Sequence, residues 1–234
     1  PSTPPLRGSA QGARLHRSWK DGRARLNGYL EDYANLAEGL LALYETTFDA
    51  QWFVAARELA DAMLAHFADP RGGFFDTSDD HEELVTRPKD VQDNAVPSGN
   101  AMAATALLKL AAFTGDSRYA DAAERALRGV KRMLASAPLG FAQWLCALDF
   151  ALGKPKEIAI IGEGAGAQAL IDVVQREYRP NQVVAVARRA SDSTIPLLQG
   201  RAQIDGRATA YVCQNFACEL PVTEPGALAE QLKK

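Results

Sequence analysis

Apolar residues recur through the first two thirds of the chain at the spacing of an amphipathic α-helix, and two of these stretches match each other. Leu40-Leu41-Ala42-Leu43 is followed by a Thr, an Asp, a large aromatic residue and two alanines. The same series follows Leu107-Leu108-Lys109-Leu110 at matching offsets. Each unit predicts a helix, a tight turn and a second helix, and such units usually bury their apolar faces against one another. The pattern predicts a stack or ring of helical hairpins.

Five helices are predicted in this region, over residues 31–47, 50–68, 99–113, 117–136 and 139–152. Asp49 and Asp116 are predicted N-caps, because a short side-chain oxygen at that position accepts a hydrogen bond from a free backbone N–H. Gly115 permits the left-handed turn between two of the helices. A loop rich in Asp, Glu, Pro and Asn covers residues 77–97, and loops of this length are usually functional or disordered.

The pattern changes after Gly153-Lys154-Pro155-Lys156. Short apolar strands over 158–161 and 183–186 enclose a helix over 167–178, and this spacing favours parallel pairing through a right-handed crossover. A third strand over 208–212 and a closing helix over 224–232 follow. The prediction is a mainly α chain in three parts: a poorly ordered segment over 1–28, helical hairpins over 29–153 and a small α/β subdomain over 154–234.

Composition narrows the function classes. The chain has 234 residues, 47% of them hydrophobic and 24% charged, which is typical of a soluble globular protein. A net charge of -3 gives no field that favours nucleic acid or an anionic membrane, and no apolar run is long enough to span a bilayer. Three cysteines and no apolar leader favour a reducing compartment, so a cytoplasmic location is predicted. The basic residues before residue 28 are interpreted as a solvated face or a cut end rather than a nucleic-acid arm: Arg14, Arg17, Lys20, Arg23 and Arg25.

Superposing the two repeats places residues 29–33 opposite residues 96–100, each just before an inner helix. The resulting polar cluster contains Tyr29, Glu31, Asp32, Tyr33, Asp93, Asn94, Ser98 and Asn100. Aromatic rings stack on sugars, and paired carboxyl groups can protonate a leaving oxygen and activate water. We therefore predict a carbohydrate site with catalytic carboxylates from Asp32 and Asp93, joined by Glu31.

In that site the remaining polar and aromatic side chains would bind substrate: Tyr29, Tyr33, Asn94, Ser98 and Asn100. The alternative is structural. Asp32 and Ser98 are also the residue types that cap helices or lie in the first turn, where the helix dipole favours acidic groups.

Three other motifs are weaker. His81 lies among acidic residues, and an exposed charged loop is favoured over a metal ligand or general base, so no metal or cofactor is predicted. Gly162-Glu163-Gly164-Ala165-Gly166 is interpreted as a structural turn rather than a phosphate loop. Cys213 and Cys218 are interpreted first as packing residues, with a disulfide or redox role as the alternative. Cys146 is predicted to lie in the core.

Several motifs together resemble the C-terminal part of the YyaL-type proteins, relatives of the mammalian spermatogenesis-associated thioredoxin-like protein. They are Tyr29-Leu30-Glu31-Asp32-Tyr33-Ala34, Gly72-Gly73-Phe74-Phe75-Asp76, Arg87-Pro88-Lys89-Asp90, Asn94-Ala95-Val96-Pro97-Ser98-Gly99-Asn100 and Cys213-Gln214-Asn215-Phe216-Ala217-Cys218. The resemblance implies an N-terminal thioredoxin-like domain, an (α/α)6 toroid similar to six-hairpin glycosidases and N-acylglucosamine 2-epimerases, and a small α/β tail.

The chain contains no thioredoxin-like domain and too few helices for a closed ring. The fold expectation is therefore a partial (α/α)6 toroid followed by the α/β subdomain. The missing N-terminal part of the same protein and a carbohydrate ligand are the expected partners. The functional expectation is a carbohydrate-processing cleft, and the alternative is a non-catalytic interaction or regulatory domain that partners a thioredoxin-like domain.

Overall fold

The helical part of the molecule follows the hairpin repeat. The computed structural model describes residues 14–81, 85–215 and 217–233. Its first five helices are α1 (Leu30–Thr47), α2 (Ala50–His66), α3 (Gly99–Thr114), α4 (Ser117–Ser136) and α5 (Ala142–Leu152). Helices α1, α3 and α5 lie side by side, with α2 packed on α1 and α4 on α3.

The helix ends confirm the predicted caps. Asp49 Oδ1 accepts a hydrogen bond from the Gln51 N–H at 3.1 Å, and Asp116 Oδ1 accepts one from the Arg118 N–H at 3.0 Å. Gly115 has φ +70°, the left-handed conformation expected after α3. Helix α5 begins at Ala142, later than predicted, because Pro138–Gly140 form a separate 3₁₀ turn that leaves Leu139 exposed.

Aromatic side chains join the two hairpins. The rings of Tyr44, Phe53 and Phe113, from α1, α2 and α3, lie with centroids 5.5 to 5.7 Å apart in tilted or edge-to-face pairs. Such pairs add about 0.5–1.5 kcal/mol each beyond the area they bury. Buried alanines on the same helices, including Ala37 and Ala104, allow the helix backbones to approach closely.

The α/β part contains β3 (Lys156–Ile161), α6 (Gly164–Gln175), β4 (Gln182–Ala187), β5 (Thr209–Gln214), β6 (Ala217–Cys218) and α7 (Pro225–Lys233). The strand order is β4-β3-β5-β6. Strands β3 and β4 are parallel with α6 between them in sequence, as predicted, whereas β5 is antiparallel to β3.

Alternation along the strands gives the sheet two apolar faces. Ala159 and Ile161 on β3 join the core of the helical hairpins, whereas Ile158 and Ile160 pack with α6 and α7. The sheet therefore lies between two helical layers. At the end of β3, Gly162 has φ +150°, and a Cβ there would lie 2.6 Å from Ala208 Cβ, which agrees with a structural turn.

The N-terminal prediction differs from the structure. Within the segment 1–28 that was expected to be poorly ordered, β1 (His16–Lys20) and β2 (Arg23–Asn27) form an antiparallel hairpin, and residues 1–13 lie outside the described residues. Asp21 and Gly22 both have positive φ, as a two-residue hairpin turn requires. The strands of this hairpin are exposed throughout, so their apolar residues form no buried face that a hydrophobic pattern would indicate.

Over the described ranges, seven α-helices and two small sheets make the fold mainly α with some strands. None of those helices is both long enough and apolar enough to cross a membrane.

Candidate functional site

The first turns of α1 and α3 meet in direct backbone contact. A Cβ placed on Gly99 would lie 2.9 Å from the backbone nitrogen of Glu31, so only glycine fits at that point of α3. The loop residues before both helices close around this contact and leave a cavity of about 180 Å³, which we call the polar cup. Its lining consists of Tyr29, Glu31, Asp76, Asp90, Gln92, Asn94, Val96, Pro97, Ser98 and Gly99.

The cup brings together half of the predicted site. Tyr29, Glu31, Asn94 and Ser98 line it, as their position before equivalent inner helices suggested. The other four predicted residues, Asp32, Tyr33, Asp93 and Asn100, lie beside the cup and have their polar atoms bound to backbone groups.

The two carboxylates predicted as acid and base both bind backbone N–H groups. Asp32 Oδ2 accepts from the Tyr29 N–H at 2.8 Å in a capping box at the start of α1. Asp93 Oδ1 accepts from the Ser98 N–H at 2.8 Å, and its Oδ2 accepts from the Gln143 N–H at 2.9 Å. Asp93 therefore links the starts of α3 and α5.

Ser98, Tyr33 and Asn100 also have structural partners. Ser98 Oγ accepts from the Ala101 N–H at 3.2 Å, which is the cap predicted as the alternative. The Tyr33 ring is buried, and its hydroxyl accepts from the Leu15 N–H at 2.9 Å at the base of the hairpin. Asn100 is completely buried and bonds the backbone of the segment after α2.

Sequence reasoning missed Asp76, together with its neighbours in the cup Asp90 and Gln92. The Asp76 carboxylate accepts from the Asp90 N–H at 2.9 and 3.1 Å, and the Asp76 carbonyl accepts from the Leu30 N–H at 2.9 Å. Burial, followed by the nearby charges of Asp90 and Glu31, raises the pKa of Asp76, while the Asp90 N–H and the Lys89 ammonium oppose the shift. The family motif Gly72-Gly73-Phe74-Phe75-Asp76 was the available signal for Asp76, but it lies outside the superposed repeats.

The hairpin β1–β2 reaches the mouth of the cup. The Arg17 guanidinium pairs with the Glu31 carboxylate and lies 4.3 Å from the centre of the Tyr29 ring. On another side, the His81 ring lies 5.6 Å from the Tyr29 ring, centroid to centroid. Tyr29 is thus held between a cation and an imidazole, which fixes its orientation beside the carboxylates.

A second, larger cleft of about 1080 Å³ lies between α1, α3, α5 and the α/β part. Lys109 and Glu38 form an ion pair of 2.6 Å in its wall. The Glu45 carboxylate accepts from the Val184 N–H at 2.9 Å, on the outer edge of β4. Burial raises the pKa of Glu45 to about 7, against the opposing effects of Lys109 and of that N–H. The sequence analysis did not identify this cleft.

The cysteine predictions need correction. Cys213 and Cys218 form a disulfide across the β5–β6 pair. The structure therefore has the disulfide that was predicted as the alternative to packing cysteines. Cys146 is exposed on α5, and its assignment to the core was wrong because the apolar face of α5 is turned away from it. Within the described ranges, no group of three or more His, Cys, Asp or Glu residues is arranged to hold a metal ion.

Comparison with known proteins finds relatives that are considerably longer. The chain is 33% identical to spermatogenesis-associated protein 20 of Mus musculus and 34% identical to that of Homo sapiens, in each case over 213 residues. These alignments cover 88% of the chain but 27% of the relative. An uncharacterized protein of Caenorhabditis elegans is 24% identical over 219 residues, covering 92% of the chain and 30% of the worm protein. No family model matches the chain.

Proposed function

The chain is a homologue of spermatogenesis-associated protein 20 over most of its length, which confirms the family resemblance, and on that premise we propose a function for the polar cup. The proposal is that the cup binds a sugar ring as part of a carbohydrate-processing cleft. The observation that carries it is the convergence of Glu31, Asp76 and Asp90 with the ring of Tyr29 in one small cavity.

The chemistry of the lining suits a polyhydroxyl ligand. Carboxylates and the amides of Gln92 and Asn94 can accept and donate several hydrogen bonds within a small volume, and Tyr29 offers an apolar edge. Asp76 is the proposed proton donor, because its raised pKa favours the protonated form more than that of an ordinary aspartate. Glu31 is the proposed second carboxylate, and Asp32 and Asp93 act through the helix starts that they cap.

The partial toroid is the proposed setting of this cleft. Helix α1 exposes Leu36 and Leu43, and helix α5 exposes Leu145 and Leu152, on the two outer members of the α1–α3–α5 layer. Apolar side chains along both edges are suited to packing against further helices. In the proposal, other parts of a longer polypeptide supply those helices and complete the wall of the cleft.

The test is a saccharide screen on the whole 234-residue chain by glycan array, followed by calorimetric titration with each saccharide that binds. Glu31→Gln and Tyr29→Ala should each lower affinity about tenfold, because each removes a direct contact to the ligand. Asp121→Asn, which neutralises an exposed carboxylate on α4 outside the cup, is the matched control and should leave affinity unchanged.

Turnover separates binding from catalysis. Asp76→Asn should keep the affinity within about twofold while abolishing any conversion of the bound saccharide seen by NMR, because the amide cannot donate an acidic proton. Failure of every saccharide to bind, or an equal loss in the Asp121→Asn control, would contradict the proposal.

A second candidate function is a non-catalytic interaction or regulatory domain. The observation that favours it is that Asp32, Asp93 and Asn100 bind backbone groups. A domain of this kind predicts that Asp76→Asn and Glu31→Gln alter neither saccharide binding nor turnover. The same titrations therefore distinguish the two functions.

A further inference from the structure

The two sulfur atoms of the disulfide at the edge of the sheet differ in solvent exposure. Cys213 lies near the end of β5 and is 1% exposed, whereas its partner Cys218 on β6 is exposed to solvent. In the closed disulfide, an external thiol can therefore reach Cys218 Sγ and not Cys213 Sγ. Thiol–disulfide exchange depends on which sulfur is attacked and on how well the other leaves.

A guanidinium lies against the buried sulfur. Arg201 Nη2 is 3.0 Å from Cys213 Sγ and 3.4 Å from Cys218 Sγ. A guanidinium carries its charge at every physiological pH, and a cation at this distance stabilises a thiolate relative to a thiol. Glu157 lies opposite Cys213 on β3 and its charge also acts on Arg201. The guanidinium is nevertheless in direct contact with the Cys213 sulfur, which makes Cys213 the better leaving group.

Tyr211 holds the arginine in place. The Arg201 guanidinium carbon is 5.6 Å from the centre of the Tyr211 ring, two residues before Cys213 on the same strand. The Tyr211 hydroxyl donates to the Ala202 carbonyl at 2.7 Å and accepts from the Ala202 N–H at 3.2 Å. The residue next to Arg201 is therefore bound to the strand that carries Cys213, and this fixes the guanidinium beside the disulfide.

We propose that Cys213–Cys218 is a thiol-exchange site for a dithiol reductant, with Cys218 as the attacked sulfur and Cys213 as the leaving thiolate held by Arg201. One thiolate of the dithiol attacks Cys218 Sγ; the Cys213–Cys218 bond breaks, and its electron pair passes to Cys213 Sγ. In the mixed disulfide, the first sulfur of the dithiol is bonded to Cys218 Sγ. The second thiolate of the dithiol attacks that first sulfur and releases Cys218 as a thiolate, which takes a proton from water. The cysteine pair gains two electrons, and the dithiol is oxidised to a disulfide.

The first experiment locates the attacked sulfur. The 234-residue chain carrying Cys146→Ser, which removes the exposed free thiol, is treated with excess glutathione without denaturant, quenched with iodoacetamide and sequenced by tandem mass spectrometry. At least about nine in ten of the adducted molecules should carry glutathione on Cys218 and the alkyl group on Cys213. Adducts mainly on Cys213, or a disulfide that reacts only in denaturant, would overturn the proposal.

The second experiment tests the arginine. After reduction by dithiothreitol, the rate of alkylation of Cys213 is followed as a function of pH. In Arg201→Gln the alkylation rate of Cys213 at pH 6 to 7 should fall about tenfold. The rate for Arg201→Lys should lie between those of the parent chain and Arg201→Gln. Arg188→Gln is the matched control, because Arg188 pairs with Glu163. A pH profile for Arg201→Gln that coincides with the parent profile would refute the role of Arg201. The adduct experiment tests the attacked sulfur independently, because it uses no variant at Arg201.

Discussion

Asn100 bonds the backbone of Phe74 with both ends of its amide. Its Oδ1 accepts from the Phe74 N–H at 2.8 Å, and its Nδ2 donates to the Phe74 carbonyl at 2.9 Å. The same Nδ2 donates to the Asp90 carbonyl at 2.9 Å. One buried side chain in the first turn of α3 therefore holds two separate segments that carry the carboxylates of the cup.

Asn100→Ala should lower the free energy of unfolding by about 2–4 kcal/mol, since it leaves several buried backbone groups without partners. Asn94→Ala changes an exposed amide in the loop before α3; it is the control and should change the free energy of unfolding by less than about 0.5 kcal/mol. Urea unfolding followed by circular dichroism measures both. Equal stability of the two variants would show that the Asn100 bonds contribute little.

Gly99→Ala should destabilise the chain by about 1–3 kcal/mol, because the added Cβ would lie 2.9 Å from the Glu31 backbone nitrogen and force α1 and α3 apart. Gly39→Ala is a matched substitution inside α1, where nothing lies within 4 Å of the added Cβ. It should stabilise the chain by about 0.5–1 kcal/mol through helix propensity. Thermal unfolding of the two variants should give shifts of opposite sign, and shifts of one sign would contradict the close approach.

Asp93→Ala should cost about 1–2 kcal/mol of stability, because the starts of α3 and α5 each lose a hydrogen bond to the same carboxylate. Asp93→Asn keeps one acceptor oxygen and should cost less. Chemical unfolding gives the stabilities. If Asp93→Asn instead abolished saccharide turnover without changing stability, the carboxylate would have the catalytic role that was first predicted for it.

Glu45 should make stability depend on pH. Its pKa is raised in the folded chain to about 7, so the folded state holds the proton more tightly than the unfolded state does. The associated stability is present below the ordinary glutamate pKa and is lost as pH rises through about 7. Glu45→Gln cannot ionise, and its amide oxygen can still accept from the Val184 N–H.

The free energy of unfolding of Glu45→Gln should therefore be about 2 kcal/mol higher than that of the parent chain at pH 8, where water in the cleft partly screens the Glu45 charge. Near pH 4.5 the two free energies should be equal. Glu58→Gln, which changes an exposed carboxylate on α2, should give no pH-dependent difference. Urea midpoints measured from pH 4.5 to 8 check both variants. A constant difference across that range would contradict the raised pKa of Glu45.

Local features of the sequence determined much of the fold. The helical period and the Asp49 and Asp116 caps predicted both ends of α1 to α4 within two residues, because capping and backbone hydrogen bonding act over a few neighbouring positions. The parallel β3–β4 pair followed from the spacing of two apolar runs around α6. The motifs also identified the family to which the relatives belong.

Tertiary structure alone decided which polar residues share a cavity. Asp76 and Asp90 join Glu31 because Asn100 and Gly99 draw distant segments together, and neither contact leaves a periodic signal. Arg17 reaches Tyr29 through a hairpin whose strands are exposed throughout and have no buried face. The sequence by itself determined the helices, because these depend on short-range hydrogen bonds, and the short connections from α1 to α2 and from α3 to α4 determined which helices pair. The cup depended on long-range packing, which sets distances that no local pattern encodes.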